Sequence, residues 1–341
     1  MKRAEGLAFD NVFEKYYRLY RLACSLYKHA YLPSQAVNNR MPNSSLKSAG
    51  FRAPFLPYHC IVQITETYDG LLAKSGNTPY IQNAINHFRN HQPPDIPFKP
   101  LSFLIAAYPG EPAQIILQDN GKRVAVPIPP TYLDDTEQRQ KLNSTLESAA
   151  QGYHTAHAKG MSQKLLAVYS GLGRFGRNNI CYIDGLGSFF SLKAFYTDIP
   201  CEDVSYPIAF LESCDYCDLC RQDCPTGAIG QNSVINAEKC LTMYNENNQP
   251  MPEWIPQSAH HTLIGCLRCQ EICPQNKPLK VNVKRTLELS ECETRALFTS
   301  GLEAFPPELT QKLRQFGLND FVLQVVGRNA RLAMQNICMD D

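Results

Sequence analysis

The chain has 341 residues, 44% of them hydrophobic and 19% charged, and a net charge of +1. Such a composition describes a globular protein with material for a sizeable core, at a length that suggests about two domains. The near-neutral balance excludes the broad positive field that holds nucleic-acid backbones or anionic membranes, and no apolar run reaches the length of a spanning helix; fourteen cysteines without a signal-peptide pattern point to a cytoplasmic protein that ligates metal rather than to disulfides.

In chain order, Val12, Tyr16, Leu19, Ala23 and Leu26 stand at helical spacing and predict a helix over 7–29. Residues 33–57, rich in Asn, Ser and Pro, read as loop with one short helix. Ile81, Ala84, Ile85 and Phe88 mark another helix, stopped by Pro93-Pro94. The apolar run 102–108 reads as a buried strand. Asp119-Asn120-Gly121 is a hairpin turn between strands over 114–118 and 122–128. Helices over 134–150 and 160–169 follow, then strands over 179–183 and 188–197. Beyond the cysteine-rich stretch, amphipathic helices are expected over 292–301, 307–318 and 321–336. The fold class is α+β: an α+β domain over 1–202, a ferredoxin-like domain over 203–282 and a helical tail over 283–341.

The strongest chemical signal is the stretch from Cys214 to Cys273. It reads Cys214-x2-Cys217-x2-Cys220-x3-Cys224-Pro225, then Cys240, then Cys266-x2-Cys269-x3-Cys273-Pro274. The first run follows the bacterial ferredoxin spacing, in which three cysteines hold one [4Fe–4S] cluster and the fourth reaches a second cluster. A complete second run would place a cysteine where Leu263 stands. Cys240 supplies the missing eighth thiolate. The spacing therefore assigns Cys214, Cys217, Cys220 and Cys273 to one cluster, and Cys224, Cys240, Cys266 and Cys269 to the other. Zinc has no use for a third cysteine at x2 followed by Cys-Pro. Cys24, Cys60, Cys181, Cys201, Cys292 and Cys338 lack ligand spacing and read as small apolar residues.

Gly171-Leu172-Gly173-Arg174-Phe175-Gly176 matches G-x-G-x-x-G, but the order around it is helix then strand. A dinucleotide fold needs strand then helix, so that reading is rejected. Gly171 fits a left-handed helix cap, and three close glycines let backbone approach a flat ligand. Arg174 and Arg177 suit either ligand carboxamides or phosphate, or a solvated surface. His260-His261 read as a surface or packing feature, and Trp254 as core or as a cluster shield. No nucleophile elbow, P-loop or H-E-x-x-H is present.

Gly171-Leu-Gly-Arg-Phe-Gly-Arg-Asn178, Gly187-Ser-Phe-Phe190, Tyr196-Thr-Asp-Ile-Pro200, the cysteine block with Gly265 and Asn276, and Arg328-Asn-Ala330 with Asn336 together resemble the epoxyqueuosine reductase family, which is related to the reductive dehalogenases. The resemblance is densest over 150–280. It implies a nitroreductase-like domain holding cobalamin, with Gly171, Leu172, Gly173, Arg174, Gly176, Arg177, Asn178 and Ser188 as corrinoid-binding residues. A ferredoxin or flavodoxin type of donor would feed the two clusters. At the place of the family's proton-donating aspartate stands His157, a candidate acid or an ordinary polar residue beside His154. Arg174 and Arg177 replace the family's Trp and Lys, which points to a paralogue and leaves the substrate open between tRNA and another molecule. The alternative function is a ferredoxin-type electron-transfer protein that serves a partner enzyme without a corrinoid.

Overall fold

The computed structural model describes residues 55–58, 95–110, 112–133, 136–158, 161–201, 208–230, 234–277, 283, 285–299 and 302–337. The helices expected over 7–29 and 81–88 lie outside these residues. Every described residue falls in one compact unit spanning 42–341.

A four-stranded antiparallel sheet runs in the order β1 (Phe55–Pro57), β2 (Ser102–Pro109), β8 (Phe190–Thr197), β5 (Thr155–His157). β2 and β8 pair along their whole length, from Ser102 opposite Thr197 to Pro109 opposite Phe190. Phe103, Leu104, Ile105, Ala106 and Ala107 are all fully buried, so the unbroken apolar run of β2 marks a strand covered on both faces. Leu165, Leu166, Val168 and Tyr169, on helix α2 (Gln163–Tyr169), pack into the same core as Phe103, Ile105 and Tyr196.

The expected hairpin forms β3 (Ala113–Asp119) and β4 (Lys122–Ile128), with Asn120 and Gly121 at φ 50° and 77°, the twist a two-residue turn requires. β9 (Arg285–Glu288) adds to β3 in parallel, from Ala113 opposite Arg285 to Ile116 opposite Glu288. Four residues of sequence Arg-Thr-Leu-Glu carry too little pattern to predict a strand; the open edge of β3 makes it one. The hairpin packs on the C-terminal helices: Ile115, Leu117, Val126 and Ile128 share a buried cluster with Leu309 and Leu313 of α7 (Pro307–Phe316) and Val322, Leu323 and Val326 of α8 (Asp320–Ile337). α1 (Thr136–Ala149) follows the hairpin, and α6 (Glu291–Leu297) begins at a Ser290–Glu293 capping box. Among the described residues, no helix is long and apolar enough to cross a membrane.

The expected strands 179–183 and 188–197 do not form one hairpin. β7 (Cys181–Tyr182) pairs instead with β6 (Arg174–Phe175) of the glycine turn. Residues 183 and 187 keep a single bridge before the chain enters β8.

Candidate metal centre

The cysteines sit on very short elements. Cys214 is in a 3-10 turn at Glu212–Tyr216, Cys220 on α3 (Leu219–Gln222), Cys240 at the start of α4 (Leu241–Asn245), and Cys269 on α5 (Arg268–Glu271). Backbone bends that need left-handed glycine flank them: Gly227 and Gly265 both have φ 63°.

The structure gathers the eight thiols into two sets of electrostatic neighbours. Cys214 and Cys220 feel each other's set, Cys217 and Cys273 included. Cys240 and Cys266 feel Cys224 and, in the case of Cys266, Cys240; Cys269 feels Cys266 and Cys240, and also Cys220 across the gap. Burial first, then the neighbouring thiols, push Cys220 up to about 11. Burial pushes Cys266 up to about 12 against a backbone N–H of Arg268 that favours the thiolate, and burial likewise raises Cys240 and Cys269. Such thiols stay protonated at neutral pH unless a metal replaces the proton. Backbone N–H groups already point at sulfur, from Arg177 to Cys214 Sγ at 3.4 Å and from Ala228 to Cys224 Sγ at 3.3 Å. Among the described residues, no three His, Cys, Asp or Glu side chains converge on a single metal ion. A cubane asks for something else, one thiolate on each of four separate irons. The donor set fits it.

Leu263, at the place of the absent cysteine, is fully buried in the hairpin–helix core. His261 follows a 3-10 turn rather than sitting on a helix. Its Nδ1 faces the Ala259 carbonyl at 2.8 Å while Nε2 accepts the N–H of Leu267 at 3.4 Å, which orients the turn around Cys266. Trp254 is no core residue: it is half exposed, its ring edge-on to Tyr244.

The glycine turn faces the cysteines. Gly171 ends α2 at φ 74°, with Leu172 N–H reaching the Ala167 carbonyl at 2.9 Å, the left-handed cap expected. A Cβ on Gly173 would stand 2.5 Å from Cys181 Sγ, and one on Gly176 would stand 2.6 Å from the Tyr182 ring. The close approach these glycines permit is therefore to the chain's own β7. Leu172 packs against the core of the larger sheet. Arg174 is half exposed and paired with Asp184 at 3.2 Å. Arg177 lies against the first cysteine loop, its Nε on the Cys217 carbonyl at 3.0 Å and its Nη2 on that of Cys214. Asn178 donates to the Cys269 carbonyl and to Tyr182 Oη, both at 3.0 Å. Ser188 is bound to Asn276 through its N–H at 2.8 Å and its hydroxyl at 2.8 Å, and donates to Gln270 at 2.9 Å. Burial and the adjacent Cys273 push Tyr182 well above the usual phenol range. The eight residues expected to hold a corrinoid are thus engaged with β7, Asp184, the sheet core or the two cysteine arms.

His157 is half-buried on β5, opposite Phe195, with ring centroids 5.6 Å apart. His154 pairs with Asp198 at 2.7 Å and stacks on Phe98. Sequence reasoning missed the Tyr132–Glu246 hydrogen bond, which sits over Gly265. Burial raises both groups. It also missed the role of Arg328, Asn329 and Asn336. From α8 these side chains hold backbone carbonyls of the cysteine segment: Tyr244 at 2.7 Å, Asn245 and Leu263 at 2.9 Å, and His260 at 2.8 Å.

Residues 213–276 match the family of 4Fe-4S double cluster binding domains. The epoxyqueuosine reductase of Staphylococcus aureus (strain NCTC 8325 / PS 47) is 32% identical over 117 residues, 34% of this chain and 30% of that protein. The epoxyqueuosine reductase of Aliivibrio fischeri (strain ATCC 700601 / ES114) is 30% identical over 148 residues, 42% of this chain and 39% of that protein. The chain spans roughly a third of the length of the curated relatives it matches. A crystal structure of an epoxyqueuosine reductase with a tRNA-Tyr epoxyqueuosine-modified stem loop shares the fold at a TM-score of 0.60 and 20% identity, over 86% of this chain and 80% of that one. The chain is thus similar to epoxyqueuosine reductases, with their mixed α+β fold and an iron–sulfur cluster-binding domain.

Proposed function

We propose that this chain, with its likeness to epoxyqueuosine reductases, is a cytoplasmic iron–sulfur oxidoreductase with two [4Fe–4S] clusters. Cys214, Cys217, Cys220 and Cys273 hold the first; Cys224, Cys240, Cys266 and Cys269 hold the second. The observation that carries this reading is the match of residues 213–276, which hold all eight of these cysteines, to the double cluster binding family.

Bound there, the clusters supply one-electron transfer at low potential. The protein's share is to hold the two thiolate sets side by side and to aim N–H groups at sulfur. Leu263 and Ile264, between Cys240 and Cys266 in the chain, anchor the second cysteine arm in the hairpin–helix core. A ferredoxin- or flavodoxin-type donor gives up one electron per encounter. The substrate of the relative solved with a tRNA stem loop makes a modified nucleoside in RNA the first candidate substrate here, with His157 as candidate acid. Cobalamin is the cofactor that the resemblance implies for the reductase reading. The engagement of Arg177, Asn178 and Ser188 with the cysteine arms favours a second reading, an electron-transfer protein that serves a separate enzyme.

Anaerobic reconstitution tests both. About eight irons per chain and reducible, EPR-active clusters are expected; zinc in place of iron would sink the reading. Titration with cob(II)alamin then separates the two: a changed corrinoid spectrum favours the reductase, an unchanged one the carrier.

A further inference from the structure

Arg174 and Arg177 leave the same glycine turn toward different surroundings. Arg174 is half exposed and neutralised by Asp184. Arg177 is only 15% exposed and lies against the Cys214–Cys220 loop. Its guanidinium spans two carbonyls of that loop, Cys217 at 3.0 Å through Nε and Cys214 through Nη2, while its own backbone N–H points at Cys214 Sγ from 3.4 Å. This bidentate fork is beyond the reach of a lysine ammonium, which is a point charge. A carboxylate, that of Asp218, stands 3.9 Å from Nε. Three hydrogen bonds from Arg221, two through Nε at 2.7 and 2.8 Å and one through Nη2, draw it the other way, so it offsets the Arg177 charge only in part.

The second thiol set has a different charge environment. Lys164 acts on Cys240 and Cys269, Glu246 on Cys240 and Glu271 on Cys266, while Arg268 and Asp223 act on Glu271 in turn. Charges of both signs meet there. Reduction adds one electron, hence one negative charge, to a cluster; a fixed cation and N–H···S bonds beside its ligands favour that state. A group largely withdrawn from solvent is weakly screened by salt.

We infer that Arg177 is a positioning and tuning residue for the first cluster. It grips the Cys214–Cys217 turn and raises that cluster's reduction potential above the second's. The inference rests on the two-cluster reading given above. It makes the first cluster the one that accepts and holds the incoming electron.

The test is an equilibrium redox titration of the reconstituted full chain, followed by EPR. In R177Q, which keeps a polar side chain but loses the charge, one of the two midpoints should fall by about a tenfold change in the reduction equilibrium, ~59 mV for a one-electron couple. The other midpoint should stay. R177K should keep most of the wild-type value, and R174Q should move neither midpoint. D218N, which removes the partial offset, should raise the same midpoint that R177Q lowers. Loaded protein in which R177Q leaves both midpoints in place, or moves both equally, overturns the inference; so does an R177K shift as large as that of R177Q. If R177Q fails to take up iron, D218N decides, and a midpoint that stays or falls overturns the inference. Wild-type protein with no iron or one cluster overturns the two-cluster reading itself, a separate outcome.

Discussion

The hairpin–helix core and the cysteine segment are held together by different means. Behind β3 and β4, Ile115, Leu117, Val126, Leu309, Leu313, Val322 and their neighbours are removed from water altogether. The cysteine segment gathers only Leu241, Ile255 and Ala259 into a buried cluster of its own among the described residues. Apolar burial stabilises the first region at about 25 cal/mol per Å². The second has turns of four or five residues, too short to be stable helices alone, and depends on ligands and on hydrogen bonds from its neighbours. A segment with eight thiols to place cannot also fill its interior with leucine. The asymmetry is the cost of carrying a metal centre on so short a stretch of chain.

The largest test of this contrast removes one ligand. In Cys240→Ser the iron content should fall from about eight to about four per chain, the share of one cubane. Hydrogen exchange should then quicken over 214–276 while 113–128 and 307–337 stay protected. Full iron with unchanged exchange would remove Cys240 from the ligand set. The converse test strikes the core. Leu313→Ala truncates a fully buried side chain and should cost about 2–5 kcal/mol in chemical denaturation. Iron per folded chain should stay at the wild-type level; a parallel loss of iron would mean that the two regions do not separate.

Acid should act on the cysteine segment through His260. Burial, then Arg328 and His261, hold its imidazole down to about 4 from an ordinary 6.5. The unfolded chain therefore binds the extra proton first, and stability falls as pH drops from about 6.5 toward 4, by on the order of 3 kcal/mol. Melting curves across that window should be flatter for His260→Gln than for the wild type; parallel curves would assign the acid sensitivity elsewhere. The smallest effect belongs to the clamp between the regions. Asn329→Ala leaves the carbonyls of Asn245 and Leu263 without their donor, a loss of about 1–3 kcal/mol. Denaturation should register it, and the same variant should loosen the second cysteine set before the first.

Legibility followed the range of the interactions. Asn120-Gly121 announced the hairpin because a two-residue turn is chosen by its own φ angles. The apolar run of β2 and the cap at Gly171 were equally local. β9 was invisible, since nothing in Arg285–Glu288 asks for a strand until the edge of β3 lies beside it. Trp254 stayed open between core and cluster shield because a single aromatic carries no record of which face meets solvent, and its half exposure removes the first. Arg177, Asn178 and Ser188 drew attention as possible cofactor contacts, and the structure shows them reaching loops that begin 37 to 91 residues away in the chain.

The sequence by itself determined the chemistry of the centre. Cysteines spaced by two and three residues, with Cys-Pro closing each run, can turn their thiols to one side through backbone geometry alone, and a two-cluster count makes Cys240 the candidate eighth thiolate. Only the tertiary structure decided what surrounds those thiols: the guanidinium against Cys214 and Cys217, the carboxylates near Cys240 and Cys266, and the α8 clamp on the backbone between them. Ligand spacing is a property of neighbouring residues. Charge, burial and hydrogen bonding at a sulfur depend on segments that meet only when the chain has packed.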